Sequence, residues 1–161
     1  HELGHALGLP HDRRDEAHDI MGNGFRNLRW NFAPEAKERV RFSEENARLL
    51  MSSRYLADDL DPSDRQPAKV QVTSLTAVGG GEWTVSVKMS DNKGLRAAVF
   101  VDRTAGSVIA GGKLTGVAQE FRQALTTMNA KSQPLQLQLI VTDVGGNQTR
   151  VSHPTADAKA R

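Results

Sequence analysis

The feature that most constrains this 161-residue chain is a change of hydrophobic period part-way along it. Trp83, Val85, Val87 and Met89 alternate with polar neighbours, as do Leu135, Leu137, Leu139 and Val141, and Val70 and Val72 begin the same pattern. A period of two puts every second side chain on one face of a strand, and that face must be buried against something. Glycine-bearing breaks at 79–81, 91–94, 111–112 and 145–147 punctuate the runs. Short strands with such turns predict an antiparallel β-sandwich over residues 68–154. Residues 118–128 fit either period, and their all-β surroundings favour a strand. Trp83 stands in an apolar strand, which predicts a core position.

Before residue 57 the pattern differs. Residues 1–8 read as a helix stopped by Gly8, a residue suited to a left-handed stop. Residues 9–34 read as loop, and Pro34-Glu35 as a short helical turn. Ser43 opens a helix with half a capping box, since Asn46 stands where Glu or Gln would complete it. Ala47, Leu50, Met51 and Tyr55 follow helical spacing, with Leu49 and Leu56 broadening the apolar face. Residues 57–67 are acidic and proline-bearing, as a linker should be. The chain is thus divided into 1–58, a linker at 59–67, a β module at 68–154 and a frayed tail at 155–161. The class expected is α+β: a mainly helical and loop first part, then an all-β sandwich.

Composition narrows the function. Charged residues are mixed, with 21 Lys+Arg against 19 Asp+Glu and no run of like charge, so a nucleic-acid surface is not expected. No apolar run is long enough for a membrane span. The absence of cysteine removes disulfides, thiolate metal sites and cysteine nucleophiles together. Histidine is the anomaly: four of five lie in the first 18 residues.

The chain opens HELGHALGLPHD. His1 and His5 lie four apart, so a helix places both imidazoles on one face, a turn apart, where both can reach one Zn²⁺. Gly8 breaks the helix and lets His11 swing back as a third ligand. The fourth position of a tetrahedral ion is left for water, whose pKa the metal lowers to about 7, and Glu2 is placed to take its proton as general base. His18 as a fourth ligand would close that position, so it is expected to be a loop histidine facing solvent or capping a turn. Asp15, Glu16 and Asp19 lack the spacing of a calcium loop and read as a solvated acidic loop.

These residues match HExxHxxGxxH and resemble the metzincin zinc metallopeptidases, either adamalysin- or reprolysin-like or matrixin-like. The resemblance covers about residues 1–56 and implies a zinc endopeptidase acting on a peptide or protein substrate, extracellular or at the cell surface. It also implies that Met21, in Asp19-Ile20-Met21-Gly22, lies beneath the metal site, and that Asp12 is structural. Asn23, Gly24 and Phe25 would wall part of a substrate pocket. Because the family's sheet precedes the motif, Leu3, Leu7 and Leu9 are expected to lack their packing surface. A chain that starts on a ligand is expected to be part of a longer enzyme, weak in zinc binding and cleavage by itself.

The stretch from Val141 to Asn147 looks like the closing strand and turn of immunoglobulin-like or fibronectin-type modules, which would bind glycan or protein or act as a spacer. The competing reading of the whole chain is a non-catalytic extracellular adhesion or binding module with a vestigial or structural metal site. An intact Glu2 argues against that reading, because a structural site has no need of a general base.

Overall fold

The alternating runs form strands where the period predicts them. The computed structural model describes residues 1–35, 37–127 and 135–153. Its strands are β1 (Lys69–Gly79), β2 (Glu82–Ser90), β3 (Leu95–Asp102), β4 (Ser107–Lys113), β5 (Ala118–Thr126), β6 (Leu137–Asp143) and β7 (Gln148–His153). One antiparallel sheet has the order β1-β2-β5 and the other β4-β3-β6-β7. Trp83, Val85, Val87 and Met89 of β2 meet Phe100 of β3 and Leu137, Leu139 and Val141 of β6 in one buried cluster. Residues 118–126 are strand, as their surroundings suggested; residue 128 and the tail from 154 lie outside the described residues.

The central strands of the second sheet, β3 and β6, are buried on both faces. Val99 and Val101 of β3, Val108 of β4 and Ile140 of β6 turn away from the sandwich core and are buried instead with Leu9, Met21 and Leu49. This explains why β3 shows no clean alternation: of its eight residues only Arg96 is not buried. A strand covered on both sides reads as a continuous apolar run.

The first part of the chain lies on that outer face. It carries α1 (Glu2–Ala6), a 3-10 helix (Gly24–Phe32) and α2 (Glu44–Leu50). Ser43 caps α2, its side chain accepting from the Asn46 N–H. The longer helix expected here is not formed. Backbone bonds from Ser52 N–H to Leu49 O (3.2 Å) and Ser53 N–H to Leu50 O (3.0 Å) tighten and end it. Met51, Tyr55 and Leu56 are consequently exposed, while Leu49 is buried.

The α+β expectation is therefore corrected. With helical elements of only 5, 9 and 7 residues beside seven strands, the described chain is mainly β, built on two antiparallel sheets. It is not a mainly helical subdomain followed by an immunoglobulin-like or fibronectin-like module. Leu9 also has a packing surface, being 3% exposed against β3, β4 and β6, whereas Leu3 is 72% exposed. Gly111 and Gly112 lie inside β4 rather than in a turn. A Cβ on Gly111 would stand 2.5 Å from Cγ of Glu45 and 3.0 Å from the Ala98 carbonyl, so the missing side chain is what lets α2 approach the sheet.

Candidate functional site

Three histidines of the first eleven residues are each held by a backbone carbonyl. His1 and His5 flank one turn of α1, and the chain leaves the helix through Gly8, whose φ is +85°. The returning strand is then fastened at several points. Gly8 O accepts from Arg150 Nη2 of β7 (2.7 Å), Pro10 O from Asn46 Nδ2 of α2 (3.2 Å) and His11 O from the Val108 N–H of β4 (2.9 Å). The sandwich thus positions His11 through its main chain.

Each imidazole is oriented through Nδ1. His1 Nδ1 donates to Ile20 O (2.8 Å), His5 Nδ1 to Leu9 O (3.0 Å) and His11 Nδ1 to Met21 O (2.9 Å). A carbonyl can only accept, so each Nδ1 carries a proton, and a neutral imidazole in that tautomer offers its lone pair at Nε2. The ring centroids lie 4.5–5.2 Å apart, and the Nε2 atoms of His1 and His5 are 3.2 Å apart. Donor atoms of all three lie within 4.8 Å of one another. Two nitrogens each about 2.0–2.1 Å from one tetrahedral ion are about 3.3 Å apart, so this donor set fits Zn²⁺. Backbone acceptors on the distal nitrogens are the usual second layer of such a centre.

Met21 is fully buried beneath the trio. A side chain on Gly4 would collide with its sulfur, which places the thioether directly under α1. Asp12 is 1% exposed, and its carboxylate is gripped by Arg14, with Nε 3.0 Å from Oδ1 and Nη2 2.5 Å from Oδ2. The same guanidinium reaches Glu45 (2.5 Å) on α2, and these acidic contacts, that with Asp12 foremost, hold it more firmly charged than an ordinary arginine. Glu2 is exposed on α1 between the two helical histidines.

Of the residues expected to wall a pocket, Phe25 packs with its ring centroid 4.7 Å from that of His1, tilted by 38°, and Asn23 is exposed. Gly24 is buried instead against the backbone of His18 and Asp19.

Asp19 was expected in a solvated loop, and it is buried. Its Oδ1 accepts from the Met21 N–H and its Oδ2 from the Ser43 N–H, both at 2.6 Å, so one carboxylate ties the methionine turn to the cap of α2. Burial raises its pKa above the usual carboxylate range. An aspartate two residues before a turn amide is a recognisable turn signal in the sequence. His18 is partly covered: it pairs with Asp15 (2.7 Å) and Glu38, with Trp30 5.7 Å away.

No family model matches the chain, and no curated protein matches its sequence. Solved structures do. A catalytically inactive OgpA from Akkermansia muciniphila, in complex with an O-glycopeptide (glycodrosocin) substrate, superposes with a TM-score of 0.65 at 14% identity, over 94% of this chain and 46% of OgpA. Wild-type OgpA gives a TM-score of 0.63 at 15% identity, over 95% and 47%. The likeness is one of fold, and the chain spans about half the length of OgpA. It corrects the family expectation. Three solved structures resembling this mainly β chain are of OgpA, not of an adamalysin- or reprolysin-like or matrixin-like metzincin. Among the described residues, no helix is long and apolar enough to cross a membrane.

Proposed function

We propose that this chain carries the catalytic centre of a zinc-dependent endopeptidase, with His1, His5 and His11 as metal ligands and Glu2 as general base. The observation that carries the reading is the convergence of three Nε2 lone pairs, each imidazole locked by a carbonyl on its other nitrogen. Lone pairs held this close repel unless a cation lies between them. When bound, the ion would polarise the scissile carbonyl and acidify the attacking water.

The chain's own residues supply the rest. Glu2 follows His1 directly on α1 and is exposed, free to accept a proton from the attacking water and return it to the leaving amine. Phe25 against His1 gives the centre an apolar flank on which a substrate side chain or backbone can rest. OgpA takes an O-glycopeptide as substrate, which supports a peptide, and an O-glycopeptide in particular, as the substrate class here.

Metal analysis and peptide cleavage test the proposal together. One zinc per chain is expected, lost in His11→Ala and retained in Glu2→Ala, while cleavage of an O-glycopeptide disappears in both. A Glu2→Ala chain that still cleaves would remove the general base, and a wild-type chain without zinc would remove the centre.

A further inference from the structure

A second group of chemistry-bearing side chains lies at the sandwich end away from any role in the histidine centre. Asp64 comes from the segment before β1, Asp91 from the turn between β2 and β3, and Asp143 from the end of β6. Three loops distant in sequence thereby bring carboxylate oxygens within 4.8 Å of one another.

The arrangement of their oxygens is what matters. In each carboxylate one oxygen is held by main-chain amides: Asp64 Oδ1 by Gln66 N–H (3.3 Å), Asp91 Oδ1 by Lys93 and Gly94 N–H (2.9 and 2.8 Å), and Asp143 Oδ1 by Gly145 and Asn147 N–H (3.0 and 2.8 Å). In each, the other oxygen is buried and has no hydrogen-bond partner. Asp64 and Asp143 are 1% and 0% exposed. Lys93 shares the turn with Asp91, yet its ammonium goes to Asp61 (3.2 Å) and Ser63 (2.9 Å).

Three carboxylates that bring oxygens within 4.8 Å of one another, each with one buried oxygen lacking a partner and two of them on fully buried residues, are costly without a counter-charge. We propose that Asp64, Asp91 and Asp143 form a calcium site that pins the segment before β1 to two turns of the sandwich. All the donors are hard oxygens, with no imidazole or thiol, which selects against zinc. Calcium binds oxygens at about 2.3–2.6 Å, so any two of its ligands stand no more than about 5.2 Å apart, and oxygens within 4.8 Å of one another satisfy that limit. Magnesium demands near-octahedral order and keeps its waters, whereas calcium accepts irregular sets from separate loops. The half-buried Asp91 leaves a path by which the ion and its remaining waters enter.

The test is a calcium titration of the zinc-loaded chain after calcium is stripped on a chelating resin, read by calorimetry and by Tm. One calcium per chain is expected, with a rise in Tm. Asp91→Asn should weaken calcium binding by about tenfold or more, since ligand charge sets affinity. In calcium-free buffer the same variant should melt no lower than the wild type, because one of three repelling charges is gone. Asp143→Asn should behave alike, and the half-buried Asp91 variant keeps the test decisive if that one fails to fold. No calcium uptake at millimolar calcium, or equal uptake by Asp91→Asn, would overturn the site. An equal response to magnesium would overturn its assignment to calcium.

Discussion

The carbonyl of Met21 accepts the Nδ1 proton of His11 at 2.9 Å, while the Met21 thioether lies fully buried under Gly4. One residue therefore orients the third histidine with its main chain and supports the helix of the other two with its side chain. Met21→Ala keeps the carbonyl and empties the floor. It should destabilise the fold by about 2–5 kcal/mol, and Met21→Leu by under about 1.5 kcal/mol. Denaturant unfolding measures both, and a parallel zinc titration should show weaker binding only for the alanine variant.

Arg14 joins the buried Asp12 to Glu45 on α2. Arg14→Met keeps the aliphatic stem but leaves Asp12 without its counter-charge, at an expected cost of about 1–3 kcal/mol. Arg14→Lys should recover only part of this, because an ammonium cannot reproduce the two-pronged contact. Unfolding curves of the two variants check the order.

Gly111→Ala should lower stability by about 1–3 kcal/mol, since Glu45 and the Ala98 carbonyl already occupy the space of a Cβ. Combining it with Glu45→Ala should recover part of the loss. Strictly additive effects in that double-mutant cycle would show that the helix does not rest on this glycine.

The proton on His18 is held above the ordinary histidine range, chiefly by its hydrogen bond to Asp15, with Glu38 adding to it. The folded chain binds that proton more tightly than the unfolded chain. The stabilisation is therefore complete below the ordinary histidine pKa and fades as pH rises through the raised folded value. Between about pH 5 and 8, His18→Gln should flatten that part of the Tm profile. Trp30 emission should follow the same titration in the wild type and lose it in the variant. An unchanged profile would show that the pairs with Asp15 and Glu38 are silent.

Legibility in the sequence followed how many neighbours a residue must satisfy. The strand around Trp83 faces one core and solvent, so its period was visible. β3 faces two apolar layers, and its pattern vanished for that reason. The spacing of His1, His5 and His11 is a local property of one helix turn and a glycine stop, and the structure does bring those rings together. Asp19, Arg14 and the Asp64–Asp91–Asp143 group depend on contacts between segments up to 79 residues apart, which no local pattern announces. The helical spacing from Ala47 to Tyr55 misled, because periodicity says nothing about where a backbone turn will close.

The two-faced sheet also sets an order of events. The histidines are the first part of this sequence to leave the ribosome, yet the surface beneath Leu9 and Met21 includes Ile140. A nascent chain that ends before β6 owns all three histidines but lacks Ile140 and the strand that completes the floor beneath them. Under the proposed reading, completion of the histidine centre would thus wait for nearly the last strand to be translated, a delay that would keep a half-made hydrolase idle beside the cell's synthesis machinery.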